Sequence, residues 1–346
     1  MKRIKLFSYR FSLLKLNLVA VVATVLFNEI LIYHLQKLRW ERFVCESDEC
    51  TRILLVSDPQ ILGEDHEFWI SRWDNDRHLK QTFHQAVVHV KPKVILFLGD
   101  LMDEGSIADD EKFQNYYKRF QNIFQTPHDV KTIYIPGDND IGGEGSEPVK
   151  TDKVIRFKNA FGQEEIWNLE QKIQIITPSL LIRDKMIKDS IDFNSTRITI
   201  SHFPILYNIG NSYKTLQKFQ PTIIFSAHDH RSREIVGDAL KFSHKWPTPI
   251  LTPKIFDLDL LNRQKKIIEL QVTTCSYRMG TMKIGYAQAI FDNNLLIYSP
   301  MFIISRFYQL GFYVLFLLIM LIVNICIKKK RVEAATHAYS RLNINQ

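Results

Sequence analysis

Five short apolar runs constrain this chain more than any other feature, because each one stops on a side chain able to bind a metal ion. RILLVSD (52–58), KVILFLGD (93–100), KTIYIPGD (131–138), TRITISH (196–202) and PTIIFSAH (221–228) end on Asp58, Asp100, Asp138, His202 and His228. Asp103, Asp140, Asp229 and His230 follow within a few residues. Runs of this length, β-branched and bounded by Gly, Pro or Asp, read as buried strands. A single Asp after a strand is usually a turn former or helix cap. Five in series are a different matter, since open α/β sheets gather their ligands at the carboxyl ends of strands.

Helical patterns separate the first three runs. In EKFQNYYKRFQNIF the residues Phe113, Tyr116, Tyr117, Phe120, Ile123 and Phe124 recur at helical spacing, as on a helix packed against a sheet. Strand and helix in alternation predict parallel strands joined by right-handed crossovers. After about residue 230 the runs LKFSH, KIIELQV, KIGYAQAIF and LLIYS follow without long helices, which predicts an antiparallel second sheet packed on the first. The fold class expected is therefore α/β, a four-layer α/β/β/α sandwich.

Two apolar stretches flank that domain. Leu16–Leu35 is long enough to cross a bilayer, although Asn28 and Glu29 weaken it, and Phe307–Ile327 is nearly uninterrupted before Lys328–Arg331. The first is expected to be an uncleaved anchor, with a signal peptide as the rival reading. Lys2, Arg3, Lys5, Arg10 and Lys15 precede the first stretch, so the positive-inside rule places both termini in the cytosol. The expected organisation is a cytosolic segment 1–15, a span 16–35, a luminal domain 36–306, a span 307–327 and a cytosolic tail 328–346. The net charge of +8 gathers beside the spans and predicts no nucleic-acid partner. On the luminal side lie a glycosylation sequon at Asn194 and the pair Cys45 and Cys50, read as a small disulfide or as free thiols.

Mixed carboxylate and imidazole donors suit manganese, iron or zinc, and the number of donors exceeds what one ion uses. Two divalent ions a few ångströms apart clamp phosphoryl oxygens and bring the pKa of water from 15.7 to about 7. The reaction class expected is phosphoester hydrolysis.

The order of Asp58, GDLMD (99–103), GDND (137–140), His202 and AHDH (227–230) resembles the calcineurin-like metallophosphoesterases, whose blocks read D-x-H, GDxxD, GNH[DE], H and GHxH. SDPQI (57–61), DIGGE (140–144), SYRMG (276–280) and the flanking spans are similar to the metallophosphoesterase 1 group and its fungal cell-division-control relatives. That resemblance implies a membrane-anchored phosphodiesterase that removes ethanolamine phosphate from a mannose of a glycosylphosphatidylinositol (GPI) anchor. It also implies GPI-anchored substrates, cargo receptors as partners and a place between the endoplasmic reticulum exit sites and the cis-Golgi. By position, Asp58, Asp100 and His230 hold one ion, and Asp100, Asp138, His202 and His228 the other, with manganese expected and zinc or iron as alternatives. Gln60, Asp103 and Asp140 become supporting groups around the ligands.

Three positions depart from the family pattern. Gln60 replaces a His, Ala227 replaces a Gly, and GDND places Asp138 and Asn139 where the family has Asn and His. Asp138 still binds a cation. Asn139 can hydrogen-bond a phosphoryl oxygen but does not shuttle a proton near neutral pH, and losing a general acid typically costs about 10²- to 10⁴-fold. The expectation is an enzyme of reduced activity. The alternatives are a metal-loaded, catalytically silent protein that binds phosphoglycan and assists cargo export, and a phosphatase for another lipid headgroup.

Overall fold

The computed structural model describes residues 2–48, 50–145, 147–162, 164–170, 172–177, 191–206, 216–238 and 243–343. It divides into two units, residues 36–303 and the terminal segments 1–35 and 304–346.

In the central unit the strands are β1 (Thr51–Val56), β2 (Val94–Leu98), β3 (Lys131–Ile135), β4 (Ile166–Leu169), β5 (Ile173–Ile176), β6 (Thr196–Ile200) and β7 (Ile223–Ser226). They continue with β8 (Arg233–Asp238), β9 (Ser243–His244), β10 (Thr248–Pro249), β11 (Lys254–Asp257), β12 (Lys266–Gln271), β13 (Ile284–Asp292) and β14 (Leu295–Ile303). One sheet runs β11-β14-β13-β1-β2-β3, and the other β10-β8-β12-β7-β6-β5-β4 with β9 beside β8. The first three strands are parallel, as their helical connections require.

Alternation along β1 and β2 shows how the layers are glued. Leu54, Val56, Ile95 and Phe97 join the core under the helices, whereas Ile53, Leu55, Val94, Leu96 and Leu98 join the core between the sheets. Ile198, Ile200, Ile223 and Phe225 meet them from β6 and β7. Both faces of these strands are dry, so they read as continuous apolar runs. The helix Asp110–Ile123 packs as its spacing predicts: Phe113, Tyr116, Phe120 and Ile123 are buried, and Tyr117 lies half-buried at the edge of the same core. Asp109 caps this helix by accepting from the Lys112 amide at 2.8 Å. Phe120 stands 5.3 Å from Phe97 and 4.7 Å from Phe124, ring centre to ring centre, locking helix to sheet.

The expectation of a separate antiparallel second sheet needs correcting. The late strands are shared out: β13 extends the first sheet antiparallel to β1 and β14 follows antiparallel to β13, while β12 lies in the second, parallel to β7 and antiparallel to β8. Conversely β6 and β7, which look like a continuation of the first series, belong to the second sheet. The five metal-competent strand ends thus come from two sheets packed face to face. Of LKFSH, only Ser243 and His244 fall within the described residues, as β9.

The terminal unit holds two helices long and apolar enough to cross a membrane, Leu13–Arg39 and Arg306–His337. Asn28 and Glu29, which weaken the first stretch on paper, have partners in the second. The Asn28 side-chain amide donates to the Gln309 carbonyl and the Gln309 amide donates to the Asn28 carbonyl, both at 2.9 Å. Glu29 accepts from the Arg306 guanidinium at 2.9 Å and from the Tyr313 hydroxyl at 2.6 Å. The helix widens over Phe27–Leu31 into a π turn at this point, a distortion common where a helix presents polar groups. Further along, Asn17 donates to Asn324 at 3.1 Å. Polar residues within apolar spans associate helices by about 1–2 kcal/mol per contact. Arg306→Ala should therefore destabilise the pair by about 1–2 kcal/mol in denaturant titrations of the detergent-solubilised protein. The double variant Glu29→Ala/Arg306→Ala should lose less than the sum of the two single losses.

Candidate metal centre

Tight backbone turns put the ligand side chains where they are. Among the described residues ten non-glycine positions have positive φ, and five of them are Asp58, Gln60, Asp100, His228 and His230. A left-handed conformation is costly for such residues and persists where surrounding structure enforces it, most often at functional sites. Two glycines make room. A Cβ on Gly99, itself at φ 91°, would meet the His202 ring at 2.6 Å, and one on Gly137 would meet Asp100 Oδ1 at 2.1 Å.

The six side chains assigned from sequence converge. Asp58, Asp100 and His202 form one cluster of candidate donors, and Asp138, His202 and His228 a second, the donor atoms in each lying within 4.8 Å of one another. His202 Nε2 stands 2.9 Å from Asp138 Oδ1 and 3.5 Å from Asp100 Oδ1. His228 Nδ1 is 3.3 Å from Asp138 Oδ1, and His230 Nε2 is 3.8 Å from Asp58 Oδ1. Asp58, Asp100, Asp138 and His202 are buried; His228 and His230 are half-exposed.

These residues fit a divalent cation. His202 Nδ1 lies 2.8 Å from the Leu98 carbonyl, so a proton there donates to that oxygen and leaves the Nε2 lone pair facing Asp138. Nε2 and Asp138 Oδ1 are both buried and, close as they are, lack the geometry of a hydrogen bond to each other or to any other group. Two ligand atoms directed at one ion are arranged in this way. Electrostatics agree. Burial opposes a charge on His202, yet Asp100, Asp138 and Asp58 raise its pKa to about 10, so the cluster favours positive charge. Burial likewise works against an ionised Asp138, but His202 and His228 hold its carboxyl well below the usual range. Asp58 is pushed up, chiefly by burial.

The supporting residues have separate tasks. Gln60 donates from its amide to Asp100 Oδ2 at 2.7 Å. Asp140 accepts from the Gly137, Leu101 and Met102 amides at 2.9, 3.1 and 3.0 Å, pinning the GDLMD loop to the GDND turn. Burial and the neighbouring Asp100 raise its pKa to about 7 all the same. Asp103 has no side-chain hydrogen bond among the described residues, and burial together with Glu104 and Asp100 raises it to about 6. Asn139 turns towards the centre: its backbone N–H donates to Asp100 Oδ1 at 3.0 Å and its side-chain amide to Asp100 Oδ2 at 2.9 Å. One amide hydrogen of that NH₂ group remains for another acceptor. Asp100 thus receives three donors from Gln60 and Asn139, a heavier commitment than its place in the sequence suggests.

Away from the centre, Cys45 and Cys50 are joined in a disulfide, and Asn194 is exposed in the turn before β6. In SYRMG, the Tyr277 hydroxyl donates to Asp74 at 3.0 Å and Arg278 pairs with Glu67.

Sequence reasoning missed two buried carboxylates that brace the site. Glu104 accepts from the Asp65 and His66 amides and from the Tyr116 hydroxyl at 3.2, 3.0 and 2.8 Å, fixing the loop after the first ligand. Glu269, wholly buried on β12, accepts from the Ile205 and Leu206 amides at 2.8 and 2.7 Å, only three and four residues past His202. Burial raises its pKa to about 7 despite those donors. The lone acid in the apolar run KIIELQV was the available signal.

Comparison with known proteins identifies the family. A family model described as calcineurin-like phosphoesterase matches residues 51–232, more than half of the chain. The chain belongs to the calcineurin-like phosphoesterase family. It is 31% identical over 166 residues to metallophosphoesterase 1 of Ailuropoda melanoleuca, covering 46% of this chain and 42% of that one. With the metallophosphoesterase 1 homolog of Drosophila melanogaster it shares 31% identity over 110 residues, 31% of this chain and 30% of the other. The chain therefore matches less than half the length of these curated relatives. Among solved structures, purple acid phosphatase PPD1 from yellow lupin aligns over 75% of this chain and 52% of that one at 9% identity, with a TM-score of 0.45. The fold of this family implies divalent metal ions.

Two outcomes test the construction. Gly137→Ala should push Asp100 aside and weaken manganese binding about 10- to 100-fold by calorimetry, with the circular dichroism spectrum unchanged. Glu269→Ala strands two buried amides at about 1–3 kcal/mol each, and should lower the midpoint of chemical denaturation accordingly.

Proposed function

We propose that this chain is a membrane-anchored phosphodiesterase of the early secretory pathway that removes ethanolamine phosphate from a mannose of a GPI anchor. The observation that carries hydrolysis is the meeting of Asp58, Asp100, Asp138, His202, His228 and His230 at the strand ends of two packed sheets. Under this reading Asp58, Asp100 and His230 hold one divalent ion and Asp138, His202 and His228 the other, with Asp100 between them. Manganese is the expected metal, and zinc and iron suit the same donors. When bound, the ions neutralise phosphoryl charge and acidify water. Asp140 keeps the two ligand loops in register, Gln60 and Asn139 orient the Asp100 carboxylate, and the second amide hydrogen of Asn139 donates to a phosphoryl oxygen. No imidazole occupies position 139 to protonate the leaving oxygen, so turnover is slower than in relatives that carry GNHD.

The ethanolamine phosphate and GPI assignments rest on the resemblance to the metallophosphoesterase 1 group. The placement of 1–15 and 328–346 in the cytosol, 36–306 in the lumen and the whole between the endoplasmic reticulum exit sites and the cis-Golgi rests on the flanking basic residues and the same resemblance. The pairing of Asn28 and Glu29 with Gln309 and Arg306 supports retention of the first span.

One observation favours a second reading, a metal-loaded protein that binds phosphoglycan and helps export cargo: the amide of Asn139 is engaged with Asp100. The experiment that separates the two uses the full-length protein in detergent with manganese and bis(p-nitrophenyl) phosphate. Native protein should hydrolyse it, Asp138→Asn should lose at least about 10²-fold, and Asn139→His should gain activity. Equal background rates for native protein and Asp138→Asn would sink the enzyme reading. Activity seen only in Asn139→His would establish the binding one. For the substrate, GPI glycans from cells lacking the protein should retain an ethanolamine phosphate by mass spectrometry.

A further inference from the structure

A cavity of about 370 Å³ adjoins the candidate ligand His230 and is lined by cations and apolar groups together, among them Arg231, Arg233, Lys283, Met282 and Phe302. The cations come from two places in the chain. Arg231 and Arg233 follow the ligand loop, whereas Lys283 stands about fifty residues later, immediately before β13.

The two walls are tied from within. Thr273 is buried, and its hydroxyl lies 3.1 Å from the His230 carbonyl and 2.5 Å from the Lys283 carbonyl. The Ile250 amide donates to the Ser232 carbonyl at 3.0 Å and secures a third edge. The cavity is therefore held by the same backbone that holds His230.

Its charge is not neutralised. Arg233 is drawn to Asp229 at 3.3 Å, but Arg231 and Lys283 have no ion pair or side-chain hydrogen bond among the described residues. No carboxylate lines the cavity. Two unpaired cations flanking one cavity beside a phosphodiester site favour a second anion at that spot. They would repel an ammonium group such as that of ethanolamine. The cavity thus suits the side of the substrate away from the ethanolamine.

We propose that this cavity binds a second phosphate carried by the same substrate molecule as the scissile diester, with Arg231 and Lys283 as the residues that select it. The proposal rests on the phosphodiesterase reading above and assigns recognition of a further substrate phosphate to this cavity. Met282 and Phe302 supply an apolar surface for the carbon atoms next to that phosphate. A lipid headgroup phosphate and a phosphate on a soluble sugar or glycerol present the same chemistry.

The test compares two chromogenic diesters on the full-length manganese-loaded protein, p-nitrophenyl glyceryl phosphate and its analogue that bears a second, free phosphate monoester on the glycerol. Native protein should prefer the second by kcat/KM. Arg231→Ala and Lys283→Ala should each reduce that preference about tenfold, through KM, and Lys283→Arg should restore most of it. An unchanged ratio of the two kcat/KM values in both alanine variants overturns the proposal. If native protein hydrolyses neither diester, the hydrolase reading fails separately, and calorimetry with glycerol phosphate still decides the cavity: binding that Lys283→Ala weakens about tenfold upholds it, and equal or absent binding overturns it. Phosphatidylinositol vesicles and free glycerol phosphate as competitors then tell the two sources apart, since stronger inhibition by vesicles assigns the lipid phosphate and equal inhibition the soluble one.

Discussion

Mutual crowding of acidic groups out of water is the constraint on which the rest of the central unit depends. Asp58, Asp100 and Asp138 are all buried around a single imidazole, and Asp140 lies buried beside them. Like charges at such distances do not stay ionised without positive charge among them. The fold resists their separation with a rigid frame. Left-handed turns aim Asp58, Asp100, His228 and His230, the clearance over Gly99 and Gly137 lets His202 and Asp100 approach, and three backbone amides tether Asp140. Removing the frame would let the carboxylates swing into solvent, which is their cheapest state. The two dry cores on either face of the first sheet resist that movement.

Much of this was legible in the sequence, for a physical reason. Buried strands need apolar runs, and the turn that ends a strand needs polar residues, so RILLVSD or KVILFLGD announces both the strand and its ligand. The helix Asp110–Ile123 shows its buried face through spacing alone. The allocation of strands to sheets was not legible. A strand dry on both faces carries no alternation to say which neighbour it has, and β6 and β7 look the same whether they extend the first sheet or form the second. Late strands such as β12 and β13 differ only in which partner their backbone meets.

Charged residues in apolar surroundings were the other blind spot. Glu269 in β12 and Glu29 in the first apolar helix both look like imperfections in their runs. Each has a partner that lies far away in the chain: Ile205 and Leu206 for one, Arg306 and Tyr313 for the other. A local window holds only half of such a pair. Asn139 is the converse case, where the family pattern marked the position and the structure supplied its contact, the Asp100 carboxylate.

The reciprocal bonds between Asn28 and Gln309, and the pair between Glu29 and Arg306, connect residues separated by 281 and 277 positions. The partners of Asn28 and Glu29 in the second helix lie beyond the whole of residues 36–303 in the chain. An acidic group at the centre of a lone helix disfavours insertion. The two apolar helices thus share these polar contacts. Their polar contacts can form only after all of residues 36–303 have been made.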